Sequence, residues 1–119
     1  MKNQRMLDEL TELMRIDVSS GQETEIAECL VKKLKQMGFS ITRDEAGDTF
    51  GGVCGNVLAV REGERDGVVC FCSHMDRVPG GIGIKPVEED GILRSSGDTI
   101  LAADDLSGVA AILEGVRQA

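Results

Sequence analysis

Met6, Leu7, Leu10, Leu13 and Met14 recur at helical spacing near the start of the chain, and Asp8, Glu9, Glu12 and Arg15 fall on the opposite face. The pattern predicts a surface helix covering a core. It ends before Val18-Ser19-Ser20-Gly21, and Ser20 and Glu23 then have the Ser-x-x-Glu spacing of a capping box. Ile26, Ala27, Leu30, Val31 and Leu34 form the apolar stripe of a second helix. Gly38 stands where a left-handed residue closes such a helix. The period then changes. Phe39–Asp44 alternates, and Asn56–Arg61 and Val68–Ser73 are short apolar runs bounded by glycine or charge. Such runs suit strands covered on both faces. Asp90-Gly91 between Lys85–Glu89 and Ile92–Ser96 predicts a hairpin turn. Thr99–Ala102 reads as a further short strand, and Val109, Ile112, Leu113 and Val116 open a third helix just after Asp104 and Asp105.

Helices before, between and after strands predict an α/β fold: a mixed central sheet with flanking helices, part of a three-layer sandwich. The 119 residues suffice for one domain. No uncharged apolar run exceeds five residues, as at Val68–Cys72 and Val109–Leu113, whereas a bilayer span needs about twenty. The start of the chain leads into an amphipathic segment rather than the apolar stretch of a secretory signal. The expected location is cytoplasmic, with Cys29, Cys54, Cys70 and Cys72 as reduced thiols. Acidic residues number 21 and Lys plus Arg 13, a formal net charge of -8. That balance argues against nucleic acid or an anionic membrane as partner, because both need a basic face. The acidic stretches Glu62–Asp66 and Glu88–Asp90 read as solvated loops.

Two predicted strand ends carry chemistry, and in open α/β sheets ligands sit beyond the carboxyl ends of strands. His74 is the only histidine, placed where an apolar strand emerges into a loop. A lone histidine there is more often structural than a ligand. Asp76 changes the balance: two residues on, it can lie on the same side. A metal-bound histidine usually donates its other ring N–H to a carboxylate or carbonyl, which fixes the tautomer. At the second strand end, one Asp before a helix is ordinarily a cap that suits the helix dipole. Two of them, Asp104-Asp105, followed by Ser107-Gly108, are less ordinary. A carboxylate can use both oxygens to bridge two cations. Cys70, Cys72, His74 and Asp76 alternate on one strand face and imitate a four-ligand site. Same-face neighbours lie about 6.6 Å apart along a strand, too far for donors about 2.0–2.3 Å from a single zinc.

Ser73-His74-Met75-Asp76, Gly83-Ile84-Lys85-Pro86-Val87, Asp90-Gly91 and Gly97-Asp98-Thr99-Ile100-Leu101-Ala102-Ala103-Asp104-Asp105 together resemble the N-terminal part of the tripeptide aminopeptidase (peptidase T-like) group of di-zinc exopeptidases. The likeness runs from the first helix to the last residue. It implies that His74 is a ligand to one zinc, that Asp76 is the catalytic-site carboxylate orienting that histidine, and that Asp104 bridges both zinc ions. It also implies a cis peptide between Asp104 and Asp105. Two zinc ions about 3.5–4 Å apart would activate a hydroxide, and the expected substrate is a short peptide that loses its N-terminal residue. Arg77 stands where the group commonly has Thr, and Leu106 where Lys is common. Neither is a ligand position, so these departures bear on substrate preference. Members of the group are much longer. Their general-base Glu, further carboxylate ligands and second His come later in the chain than the last matching motif here. The 119 residues are therefore expected to be the N-terminal portion of one catalytic domain, holding the first half of a site and inactive alone. Open edges of such a portion favour association, and a homo-oligomer is one expected form. A zinc-dependent deacylase of N-acyl amino acids and a non-catalytic fragment are the alternatives. A plain α/β binding module leaves the paired motifs to coincidence.

Overall fold

The computed structural model describes residues 3–119. Helix α1 (Gln4–Met14) buries Leu13 and Met14 completely, as its apolar spacing predicts. It departs from the predicted pattern at Glu9, which is buried rather than solvated. The cause lies at the other end of the chain: Arg117 donates to Glu9 at 2.8 and 3.2 Å, and Lys33 lies 3.4 Å away. Helix α2 (Thr24–Gln36) buries Ile26, Ala27, Leu30 and Val31. The predicted capping box does not form. The helix starts one residue past Glu23, whose Oε1 accepts the Gly21 N–H at 2.5 Å. The far end closes as expected. Gly38 has φ +86°, its N–H donates to the Lys35 carbonyl and the Phe39 N–H to that of Leu34. This is the paired bonding of a Schellman motif.

Strands β1 (Ser40–Arg43) and β2 (Val57–Val60) pair antiparallel, Ser40 opposite Val60. Asp44 closes their open end by accepting the N–H groups of Ala46 and Asn56 at 3.1 and 2.7 Å. Strands β3 (Pro86–Glu89) and β4 (Ile92–Ser95) form the predicted hairpin, Glu89 opposite Ile92. Its two-residue turn places Asp90 and Gly91 at φ +53° and +77°, the doubly positive geometry of a type I′ turn. Helix α3 (Ala103–Gln118) buries Leu106, Val109, Ala110 and Leu113 and packs on α1. Leu13, Met14, Val18, Ile26, Leu30, Ile84, Leu106, Val109 and Leu113 make one core. Arg61 lies over the Phe39 ring at 4.8 Å and donates to the carbonyls of Met37 and Val116, one at the end of each of α2 and α3. A cation there suits both helix dipoles.

The mixed α/β character is as expected, but in place of one mixed central sheet the four strands among the described residues form two separate antiparallel pairs. Val68–Ser73 and Thr99–Ala102 are corrections: neither segment joins a ladder. Val68, Val69 and Phe71 are 94%, 80% and 62% exposed. An apolar run of this kind becomes a covered strand only when other strands flank it, and β1–β4 pair with one another instead. The acidic stretches at 62–66 and 88–90 are exposed.

Candidate metal-binding site

His74 and Asp76 lie in the irregular segment after Phe71, and Asp104 lies at the start of α3. The fold brings them together across 30 residues of chain: His74 Nε2 is 3.0 Å from Asp104 Oδ1. On the other side of the ring, Nδ1 is 3.1 Å from Asp76 Oδ1 and 3.3 Å from the Asp76 carbonyl oxygen. All three side chains are open to solvent, Asp104 at 93%. The Asp104 hydrogen bond foremost, and the Asp76 charge after it, hold the imidazole above its ordinary pKa.

The two aspartates predicted before the third helix divide their roles. Both depart from helical dihedrals, so regular helix begins at Leu106, and the bond between them is cis. Asp104 points to His74. Asp105 behaves as the ordinary cap: its Oδ1 accepts the Gly108 N–H at 3.2 Å, three residues on. Its Oδ2 accepts the Ser73 hydroxyl at 2.6 Å. Ala102, just before, is left-handed at φ +64°.

Sequence reasoning missed what Arg77 does. It is 3% exposed, and its guanidinium donates to the carbonyls of Leu13 at 2.9 Å and Gly81 at 2.8 Å, with Met14 at 3.5 Å. Leu13 and Met14 end α1, and the Leu13 carbonyl also accepts the Ile16 N–H at 3.2 Å. Asp17 adds a second tie by accepting the Gly83 N–H at 2.8 Å. The loop after His74-x-Asp76 is thereby fastened to the end of α1. Only the arginine's fork of donors hinted at such a role.

The donor set can be weighed against a metal ion. His74 has one ring nitrogen engaged by a carboxylate and the other facing a second carboxylate, the arrangement of a ligating imidazole with its orienting partner. His74 and Asp104 therefore fit two positions of a metal shell, with Asp76 behind them. They do not complete it. Among the described residues no group of three or more His, Cys, Asp or Glu converges on one point, and zinc takes about four donors. Cys70 and Cys72 are exposed free thiols.

The solved neighbours of this mixed α/β fold are peptidases. The aminopeptidase PepT from Bacillus cereus shares 38% identity at a TM-score of 0.91, over 97% of this chain and 31% of its own. A tripeptidase from Staphylococcus aureus shares 34% at a TM-score of 0.88, with the same coverage. In sequence, the chain is 36% identical over 118 residues to the uncharacterized protein YqjE of Bacillus subtilis. That match takes in 98% of this chain and 32% of the relative. The chain is thus similar in sequence and fold to these proteins, and spans about a third of their length. No family model matches it. No helix among the described residues is long and apolar enough to cross a membrane.

Proposed function

We propose that this chain carries part of the zinc site of an exopeptidase that releases N-terminal residues from short peptides. The observation that carries the reading is the contact of His74 Nε2 with Asp104 Oδ1, backed by Asp76 on Nδ1, on a fold shared with PepT aminopeptidases. Zinc held there would polarise a carbonyl and lower the pKa of a bound water. His74 offers its Nε2 lone pair, and Asp76 keeps the proton on Nδ1 by accepting it as a hydrogen bond. Asp104 is largely exposed and has a second oxygen beyond the one that meets His74, so it can face two cations, as the resemblance implies. No residue of this chain is assigned as general base. The 119 residues alone do not turn over peptides, because His74 and Asp104 are two donors of a larger shell. The whole protein acts in the cytoplasm on small peptides, binds no nucleic acid or membrane, and keeps its four cysteines reduced.

The test replaces the matching third of the Bacillus cereus PepT aminopeptidase with these residues and assays tripeptide hydrolysis. Zinc-dependent turnover that disappears on His74→Ala supports the reading. Near-normal turnover after His74→Ala refutes it.

A further inference from the structure

We infer that Ser73 and Asp105 form a clamp that sets the separation of His74 and Asp104, making both of them positioning residues of the site. The inference rests on the metal reading above. Each member of the clamp is the chain neighbour of one donor: Ser73 precedes His74, and Asp105 follows Asp104. The donors need such a device. His74 sits on a segment outside every ladder, and Asp104 lies off helical dihedrals with 93% of its side chain exposed. No ladder holds the two backbones in register.

The clamp spans the gap. The Ser73 hydroxyl donates to Asp105 Oδ2 at 2.6 Å, in partly buried surroundings and across 32 residues of sequence. The other oxygen, Oδ1, accepts the Gly108 N–H in the first turn of α3. A rigid helix thus orients the carboxylate, and the carboxylate orients the irregular segment that bears His74. Residue 108 has to be glycine for this to work. A Cβ there would fall 2.4–2.7 Å from the Asp105 carboxylate atoms, inside any real contact distance. Both Asp105 oxygens are engaged, which separates its role from that of Asp104. An outer partner that orients a ligand typically changes metal affinity about ten- to a hundredfold when removed. The Ser73 bond acts one residue further out, so the low end applies.

The experiment uses the 119-residue chain with Zn2+ alone as probe. The ring resonances of His74, the only histidine, report binding without overlap. The wild-type ring responds to millimolar Zn2+. Ser73→Ala weakens the apparent affinity about tenfold while circular dichroism shows the same unfolding midpoint, and Ser73→Thr, which keeps the hydroxyl, restores binding. Equal affinity in Ser73→Ala and wild type overturns the inference and leaves the metal reading standing. An affinity loss that tracks a lowered unfolding midpoint, or that Thr does not rescue, assigns the bond to stability alone and also overturns it. A wild-type ring that ignores Zn2+ overturns the inference, because the clamp then holds no usable pair of donors.

Discussion

Replacing Arg77 with Ala should destabilise the chain by about 2–4 kcal/mol. Two short bonds from the guanidinium, to Leu13 at 2.9 Å and Gly81 at 2.8 Å, are charge-assisted and worth about 1.5–3 kcal/mol each. The third, to Met14 at 3.5 Å, is at the limit of a hydrogen bond and adds little. Leu13 and Met14 are fully buried, so without Arg77 the Leu13 carbonyl keeps only the Ile16 N–H and gains no bulk solvent. Two effects work the other way. Burial disfavours the guanidinium charge, pulling its pKa down, and Nε has no partner; deletion relieves both costs. Water can also enter from the adjoining cleft of about 310 Å³, lined by Ser19, Ser20 and Gly81 among others, and meet part of the need. The balance stays destabilising because the freed carbonyls close α1. Lys at 77 should recover less than half, since a point ammonium cannot serve carbonyls set apart like the arms of a fork. The assay is urea unfolding followed by far-ultraviolet circular dichroism, since the chain has no Trp or Tyr for fluorescence. A loss below about 1 kcal/mol for Arg77→Ala, no more than an average point mutation costs, would refute the role of these bonds.

Glu9→Ala should cost about 2 kcal/mol in the same assay, below the roughly 3–5 kcal/mol of breaking a fully buried pair, because Arg117 and Lys33 keep 22% and 18% exposure. Gly108→Ala, a change that ordinarily stabilises a helix by about 1 kcal/mol, should destabilise this one, because its Cβ meets the Asp105 carboxylate; a raised unfolding midpoint would count against the cap. Glu114, bonded first to Arg5 and then to Gln118, has its pKa lowered from 4.5 to about 2. A depressed carboxylate stabilises the fold above its unfolded value, so wild type should exceed Glu114→Gln at neutral pH. The gap should close as pH falls from 4.5 toward about 2; a gap constant through acid would exclude the ion pair. The His74 ring should titrate above 6.5 in the metal-free chain, and Asp104→Asn should bring it down. Its stabilising share is then present in acid and fades as pH rises through the folded pKa.

Local pattern carried much of this fold. The stripe of Ile26, Ala27, Leu30 and Val31 is the buried face of α2, and Gly38 and Asp90-Gly91 make the positive-φ closures their spacing implies. Each depends on residues within a turn of one another. Glu9 was read as solvated because its burial depends on Arg117, 108 residues away. The strand assignment at Val68–Ser73 failed for a similar reason, since a strand needs a hydrogen-bonding neighbour that its own composition cannot guarantee. At the site, His74-x-Asp76 and Asp104-Asp105 were legible as chemistry. Their meeting at 3.0 Å, and the assignment of Asp105 to Ser73 and Gly108, belong to tertiary structure. Arg77 was noted only as a departure from the resembling group, whereas its partners are backbone carbonyls that leave no mark in the sequence.

For His74 to offer Nε2 to a metal, Asp76 must hold the proton on Nδ1. The most direct measurement is the nitrogen spectrum of the single histidine ring before and after addition of Zn2+. The expected result is that the Nε2 resonance moves on zinc addition, that Nδ1 stays protonated, and that Asp104→Asn weakens the response. Zinc taken at Nδ1, or a ring spectrum unchanged by zinc, would contradict it.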